Sequence, residues 1–251
     1  MSNSLETRVH LCGRFTLRIN GNRMESEVYG PQGRLLLAFL VLNRHVESPR
    51  SRLVELLWGD VLPVDPDAAL ASLIAKLRKT LGKDALQGRS ELRLVLPRNA
   101  WIDVEVAKEA VHRAEAAAQS KDWAMSWPPS QVVSHIFHRT FLPGLTGTWV
   151  DAQRSAFDAI GCDADEVMAE AGLHLDGHEL MTAQRAAMRI LARQPYNERA
   201  AGLMMQILSK RGNRAEALDI YERTRTLIRD ELGVSPSDWL QSIHSGLLRG
   251  H

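Results

Sequence analysis

The stretch that decides the fold reads Ser48-Pro-Arg-Ser-Arg-Leu-Val-Glu-Leu-Leu-Trp-Gly-Asp60 and continues, after a short connection, as Asp65-Pro-Asp-Ala-Ala-Leu-Ala-Ser-Leu-Ile-Ala-Lys-Leu-Arg-Lys-Thr-Leu-Gly82. It predicts two amphipathic helices joined by a turn. The first helix is expected to end at Trp58, because Gly59 follows it, and the second to run from a cap at Asp65 to Leu81. A short bracing helix followed by a longer helix with a basic end is typical of a helix-turn-helix.

The flanking residues complete the pattern of a winged domain. Before this stretch, alternating apolar residues around an Asn20-Gly21 turn predict a β-hairpin, and Pro31 is expected to open a first helix ending near Asn43. After it, residues 91–96 and 101–102 are expected to pair as the strands of a wing. The order of strands, three helices and a hairpin predicts a winged helix-turn-helix in residues 1–102.

The second helix of the pair has one apolar face and one face suited to a DNA groove. A helix in the major groove needs small residues for close approach, with long cationic side chains at its edges. On a helical wheel the apolar stripe contains Leu70, Leu73, Ile74, Leu77 and Leu81, and the opposite face contains Ala68, Ser72, Ala75, Lys76 and Lys79, with Arg78 on its flank. The predicted DNA-binding residues are Arg50, Arg52, Ser72, Lys76, Arg78, Lys79, Arg93 and Arg98, the last two on the wing. The alternative is that these side chains only form the solvated faces of surface helices.

Composition and charge agree with this division. With 45% hydrophobic and 24% charged residues, the chain has the composition of a soluble globular protein. Residues 1–102 contain 15 lysines and arginines against 10 acidic residues, whereas residues 103–251 contain 16 against 20. The basic half therefore holds the helix-turn-helix, as a surface facing phosphates requires.

From residue 103 onward the sequence predicts helices almost throughout, interrupted by a less regular stretch around Trp123 and Pro128-Pro129. Helix pairs joined by short Gly or Pro turns indicate a helical-repeat array. Ala183 and Ala217 lie 34 positions apart, which is the tetratricopeptide period. The predicted fold class is thus mainly α with a small β part, a winged helix-turn-helix followed by an all-α tetratricopeptide-like domain in residues 103–251. A generic helical bundle is the alternative for this second domain.

Signs of catalysis or of a metal site are weak. The pairs His135/His138 and His174/His178 have ligand-like spacing but no third ligand nearby, and surface histidines are the better interpretation. The acidic residues around Asp165 are interpreted as a solvated helix face. The sequence contains no phosphate-binding glycine loop, zinc-protease motif or nucleophile elbow. We therefore predict no enzyme, no catalytic residue, no metal and no cofactor, and, without a signal peptide or an apolar run long enough to cross a bilayer, no membrane association and a cytoplasmic location.

Several of these residues also resemble a known family, the Streptomyces antibiotic regulatory proteins, in which an OmpR-type winged helix precedes a bacterial transcriptional activation domain. The Leu-Trp-Gly ending at residues 57–59 and Leu77-Arg78-Lys79-x-Leu81 resemble the two helices of the family's DNA-binding motif. Phe141-Leu-Pro-Gly144, Ala215-Glu-Ala-Leu-x-x-Tyr221 and Glu231-Leu-Gly-Val-Ser-Pro236 resemble motifs of the activation domain. The alanines early in the recognition helix depart from the family pattern.

The resemblance implies a sequence-specific transcriptional activator. Such a protein binds double-stranded promoter DNA at direct repeats, as a homodimer on the DNA, and recruits RNA polymerase through its helical domain. The alternative is a helical-repeat adaptor whose winged helix has lost DNA readout and which acts through protein contacts alone.

Overall fold

A computed structural model describes residues 7–249, which form two compact units. One unit contains the described residues up to Val106 together with Arg139–Ala156, and the other contains Ala107–His138 and the residues from Phe157 onward. Of the helices in this described range, none is both long enough and apolar enough to span a bilayer. The predicted fold class is confirmed, because a small β-containing part precedes a helical part.

The first unit opens with a small sheet in which the predicted hairpin is present. Its strands are β1 (Arg8–His10), β2 (Thr16–Ile19), β3 (Asn22–Arg23) and β7 (Trp101–Ile102). They lie in the order β3-β2-β1-β7, with antiparallel pairs except between β1 and β7, which run parallel. Asn20 and Gly21 both have positive φ, at 49° and 82°, as a tight turn between β2 and β3 requires.

Three helices follow where the sequence predicts them: α1 (Gly30–Leu42), α2 (Arg50–Trp58) and α3 (Pro66–Leu81). The carboxylate of Asp65 caps α3 by accepting a hydrogen bond from the Ala68 amide at 2.9 Å. Gly59 follows α2 with φ of 52° and Gly82 follows α3 with φ of 99°. These caps confirm the predicted helix ends, because side chains with a Cβ rarely adopt a positive φ.

The predicted partner of the wing strand was wrong. The strand β6 (Glu91–Leu94) pairs with β5 (Leu86–Gln87) and with β4 (Ser48–Pro49), in the order β4-β6-β5, whereas β7 joins the first sheet. Alternation of apolar residues identifies a strand but not its partner. The pairing of β7 with β1 is fixed by the adjacent Asp103, whose buried carboxylate accepts hydrogen bonds from the amides of Leu11 and Cys12 at 2.8 and 2.9 Å.

Residues 139–156 return to the first unit. The amide of Gly13 donates to the carbonyl of Thr140 at 2.8 Å, and the amide of Leu142 donates to the carbonyl of Leu11 at 2.9 Å. Arg154 then donates to the carbonyls of Phe141, Leu142 and Leu145, which fixes the turn ahead of its helix. The two compact units are therefore not divided by a single boundary after residue 102. That residues 1–102 and 103–251 fold as separate domains stays a prediction.

The helices from residue 103 onward are α4 (Asp103–Gln119), α5 (Trp123–Phe137), α6 (Thr148–Leu175), α7 (Glu179–Arg193), α8 (Glu198–Lys210), α9 (Arg214–Leu232) and α10 (Asp238–Arg249). The expectation of an irregular stretch around Pro128 and Pro129 was wrong, because both prolines lie inside α5. Proline removes a backbone donor, which leaves the carbonyls of Ala124 and Met125 without helical partners. Both of these residues are exposed, so that water can take the place of the lost donors.

Small residues let the helices of the second unit approach closely, as the repeat pattern predicts. Ala183 and Ala217 are both fully buried. A Cβ at Gly202 would lie 2.3 Å from the Trp239 ring, so that this position requires glycine. Tyr221 is buried and stacks on His244 with the ring centroids 3.8 Å apart. The Tyr221 ring therefore packs between α9 and α10 in the core of this unit.

A polar cluster at Asp165 corrects the interpretation of this residue as part of a solvated face. Asp165 is fully buried and accepts hydrogen bonds from Arg189 at 2.6 and 3.0 Å and from Ser134 at 3.0 Å. His138, expected at the surface, lies 2.9 Å from the same carboxylate and is only partly exposed. Sequence spacing could not show this, because the cluster joins three helices: Ser134 and His138 belong to α5 and its C-terminal cap, Asp165 to α6 and Arg189 to α7.

Candidate nucleic-acid interface

The exposed face of α3 carries the central candidates. Ser72, Lys76 and Lys79 are exposed on it, while Leu70, Ile74 and Leu77 on the opposite face are buried in the core of the unit. Leu73, predicted to belong to the apolar stripe, is only half-buried. Alanine side chains separate the exposed polar residues, so that the helix surface is narrow and its backbone can approach a ligand closely. Ser72, Lys76 and Lys79 are therefore brought together on one accessible face.

Arg78 has a different environment from the neighbouring lysines. Its Nε donates to the carbonyl of Leu86 at 3.0 Å and its Nη2 donates to the carbonyl of Gly88 at 2.8 Å. These bonds link the end of α3 to β5 and to the turn of the wing. The guanidinium is thus engaged within the unit, and its structural role is to hold the wing against the helix.

Arg50 connects the starts of the two helices of the motif. It is the first residue of α2, and its Nη2 donates to the carbonyl of Asp67 in the first turn of α3 at 3.2 Å. Its Nε lies 3.7 Å from the Asp67 carboxylate, most of which is exposed. Arg50 therefore offers one partly neutralised charge near the beginning of α3.

Arg52 lies two residues further along α2 in an exposed position. Its guanidinium carbon is 5.4 Å from the ring centroid of the buried Phe39, a cation–π contact. Among the described residues it forms no ion pair within 4 Å, so that its charge stays available to an anionic ligand.

The wing is the β5–β6 hairpin, and its tip is the turn at residues 88–90. Gly88 has φ of 92°, and a Cβ there would lie 1.8 Å from the carbonyl oxygen of Glu91, so that only glycine fits. Arg93 is exposed on β6, as predicted for a wing residue. Arg98 lies instead in the connection between β6 and β7, away from the hairpin, because the wing ends before it.

Sequence reasoning missed Arg89, an exposed cation at the tip of this hairpin. The Gly88-Arg89-Ser90 turn signal, directly after a short apolar strand, could have identified it. A carboxyl group lies close to this tip, because Glu91 directly follows the turn, and a hydrogen bond with Glu47 raises the pKa of the Glu91 carboxyl. The tip of the wing thus carries a cation and an acid side by side, and Arg93 lies further along β6, the middle strand of its sheet.

Residues 7–249 show few features of a metal site or of a nucleophilic site. In this range no three His, Cys, Asp or Glu side chains come together as metal ligands. Both cysteines are buried and free, and burial raises the pKa of each thiol. A thiol with a raised pKa is a poor nucleophile. The arrangement of α3, Arg52 and the wing is suited to binding an extended anion.

Comparisons with known proteins point in the same direction. A family model described as "Bacterial transcriptional activator domain" matches residues 102–248. The "Regulatory protein AfsR" of Streptomyces griseus is 27% identical over 219 residues, which is 87% of this chain and 22% of the relative. The protein of the same name from Streptomyces coelicolor is 29% identical over 221 residues, again 87% of this chain and 22% of the relative. The chain therefore spans only about a fifth of the length of these relatives.

A solved structure has the same fold. "Mycobacterium tuberculosis EmbR in complex with low affinity phosphopeptide" matches with a TM-score of 0.77 at 23% sequence identity, covering 97% of this chain and 65% of that one. At this level of identity the match shows a shared fold. It extends over the winged part as well as the helical part.

Proposed function

The chain belongs to the bacterial transcriptional activator domain family, as its resemblance to the Streptomyces antibiotic regulatory proteins implied, and we propose that it activates transcription by binding promoter DNA in the bacterial cytoplasm. The helix α3 enters the major groove, and the wing contacts the sugar–phosphate backbone of the DNA beside it. Two copies bind neighbouring direct repeats. The helical unit contacts RNA polymerase.

The observation that carries this proposal is the exposed face of α3. Ser72, Lys76 and Lys79 lie on a helix whose other side is buried in the unit, so that the helix is held rigidly while its polar face stays accessible. The small side chains of this face permit close approach to base edges. The lysines have the reach and the charge to contact phosphates, and Ser72 is the candidate for contact with a base.

The wing and α2 supply further cations around this face. Arg89 and Arg93 are exposed on the β5–β6 hairpin, which Arg78 fastens to the end of α3. Arg52 is available on α2. In this proposal Arg78 acts as a positioning residue, and Arg98 contributes least, since it lies beyond the hairpin.

The connection between α2 and α3 offers a surface for a protein partner. Val61 and Leu62 are 82% and 55% exposed, and Val64 is fully exposed. Apolar side chains in a loop that contributes nothing to the core are a common feature of protein interaction sites. This loop supports contact between the DNA-bound protein and the transcription machinery.

One observation favours the adaptor as a second candidate function. Arg78 is occupied by backbone carbonyls and Arg50 by Asp67, so that two predicted DNA contacts are already satisfied within the unit. In addition, the first half of α3 is rich in alanine and offers few groups that read bases. An adaptor would keep the fold of the winged unit without a strong interaction with DNA.

A salt titration of DNA binding separates the two functions. Each released counterion contributes about 0.9 to the slope of log affinity against log salt concentration. Lys76→Ala and Lys79→Ala should therefore each lower the slope by roughly 0.9 on both promoter and random DNA. Ser72→Ala should weaken binding to the specific site by about 1–3 kcal/mol and leave random DNA less affected. A matched control is Lys108→Ala, which removes an exposed lysine from α4.

Two results of this titration would contradict the proposal. If Lys76→Ala and Lys79→Ala stay folded and change neither affinity nor slope, α3 does not lie in a DNA groove. The adaptor would then be the better account. If Lys108→Ala lowers the slope as much as they do, the binding surface lies elsewhere.

A further inference from the structure

A cavity of about 820 Å³ opens in the first unit, between α1, α2 and the residues around the start of α6. Every residue that lines it belongs to this unit. Volumes of about 300 to 1,000 Å³ are typical of sites that bind small molecules. The cavity is therefore large enough for an organic ligand.

Aromatic side chains form part of the wall of this cavity. Phe39 of α1 is buried, and its ring centroid lies 5.4 Å from that of the half-buried Trp149 of α6. Trp58, the last residue of α2, is also half-buried and lines the same space. Flat apolar molecules stack on aromatic rings. Three rings around one cavity therefore favour a ligand with a planar apolar body.

One cation lies beside these rings. Arg52 lines the cavity, and its guanidinium carbon is 5.4 Å from the ring centroid of Phe39, which holds the charge at the aromatic wall. Within residues 7–249 Arg52 forms no ion pair. A guanidinium presents parallel N–H donors that match the geometry of a carboxylate. Arg52 is thus placed to bind the acidic group of a ligand whose apolar body lies on Phe39 and Trp149.

Two acidic side chains limit the charge that such a ligand can carry. Glu55 and Asp60 line the same cavity, both are exposed, and neither is paired with Arg52. They repel a ligand that has several negative charges, whereas a single carboxylate can pair with Arg52 and leave them in solvent. Thr146 and Thr148 add neutral hydroxyl groups to the lining. The charges of the cavity therefore favour a monoanion inside it.

We propose that this cavity binds a small aromatic carboxylic acid as its monoanion, with the carboxylate on Arg52 and the ring system against Phe39 and Trp149. Because Arg52 is also one of the cations available to DNA, a bound carboxylate occupies a charge that DNA would otherwise contact. The cavity thereby gives a small molecule a place to act on the winged unit. Binding of the ligand itself does not depend on whether the chain binds DNA.

The test uses the full chain without DNA and cinnamate, a planar aromatic monocarboxylate, as the probe. The chain contains six tryptophans, whose indole N–H groups can be followed by NMR. The signals of Trp58 and Trp149 should shift as cinnamate is added, since both residues line the cavity. Trp123 and Trp239 belong to the second unit and should not respond. Cinnamylammonium, which carries a cation on the same planar frame, should bind more weakly than cinnamate.

Arginine variants separate the effect of charge from unselective apolar contact. Arg52→Gln should weaken binding of cinnamate about tenfold, the loss expected for one charged hydrogen-bonding group, and Arg52→Lys, which keeps the charge, should weaken it less. Arg34→Gln is the matched control, because the Arg34 guanidinium carbon lies 5.7 Å from the Phe15 ring centroid and Arg34 does not line the cavity. It also removes an arginine over a phenylalanine, and it should leave the affinity unchanged. The indole signals of each variant without the probe report whether it is folded.

Three results would overturn the proposal. The first is that cinnamate leaves the signals of Trp58 and Trp149 unshifted. The second is that cinnamylammonium binds as tightly as cinnamate, which would mean that Arg52 does not select the charge of the ligand. The third is that Arg52→Gln, while folded, binds cinnamate as tightly as Arg34→Gln does. None of these results affects the salt titration of the lysines on α3, so failure here is distinguishable from failure of the DNA-binding proposal.

Discussion

The buried pair of Asp165 and Arg189 allows a quantitative prediction for the variant Arg189→Met. The Asp165 side chain is 0% exposed, and Arg189, which is 34% exposed, supplies two of its hydrogen bonds. Methionine keeps the apolar stem of the arginine but removes the charge. Breaking a buried ion pair by removing one partner costs about 3–5 kcal/mol. Because Ser134 and His138 still contact the carboxylate and Arg189 is partly exposed, we expect the lower end, about 3 kcal/mol.

The loss should depend on pH in a defined direction. Burial raises the pKa of Asp165, but hydrogen bonds from His138 and Arg189 outweigh burial and leave the pKa below its ordinary value. A carboxyl group with a lowered pKa stabilises the fold fully above its unfolded pKa of about 3.9. That stabilisation disappears as the pH falls through the pKa of the folded state. The difference between wild type and Arg189→Met should therefore be largest near neutral pH and shrink in acid.

Hydrogen exchange at the amides of α6 and α7 is the appropriate assay. A chain with two compact units need not unfold in one step, and exchange reports the opening free energy of these helices directly. The control is Asp165→Asn combined with Arg189→Met, which removes both charges and should recover part of the loss. A change below about 1 kcal/mol at pH 7, or a difference that does not vary with pH, would refute the reasoning.

Three further predictions concern other parts of the chain. Tyr221→Ala should destabilise the helical unit by about 3 kcal/mol, because the ring stacks on His244; Tyr221→Phe should be milder, and equal melting curves for Tyr221→Ala and wild type would argue against repeat packing. Arg78→Met should cost about 2 kcal/mol through lost bonds to backbone carbonyls and should weaken DNA binding, and an unchanged melting temperature would show that the wing needs no such fastening. A fragment of residues 1–103 should bind the dye ANS more strongly than the whole chain, because it lacks the buried side chains of residues 139–156; equal dye binding would show that residues 139–156 cover no apolar surface of the fragment.

Local signals predict the helices of the winged unit closely. The α3 helix begins and ends where Asp65 and Gly82 indicate, since a capping carboxylate and a glycine with positive φ act within a few residues. The face of α3 that carries Ser72, Lys76 and Lys79 follows from helical periodicity alone. Periodicity does not depend on distant parts of the chain, and for this reason the amino-acid sequence alone is enough to identify the central candidates.

The wing cannot be predicted in the same way. The strand pattern of residues 91–94 is visible in the sequence, but the partner of this strand depends on which other strand lies beside it in the folded chain. Gly88 fixes a tight turn back to Leu86–Gln87, whereas Trp101–Ile102 pairs with β1 and is held there through Asp103. Sequence reasoning therefore misses Arg89 and places Arg98 on the wing. It also puts Arg78 on the flank of the DNA face, but only the tertiary structure shows the carbonyls that engage it.

The sequence by itself determined the helices of the winged part, the caps of α3, its exposed cationic face and the repeat spacing, because each depends on interactions between residues close along the chain. Only the tertiary structure decided which strands form the wing, that residues 139–156 complete the first unit, and that Asp165 is buried opposite Arg189. Asp165 and Arg189 lie 24 positions apart along the chain. Residues 139–156 are separated from the rest of the first unit by residues 107–138, which belong to the other unit. The sequence contains the residues for such contacts but no periodic signal for them, since pairing and burial depend on the packing of the complete chain.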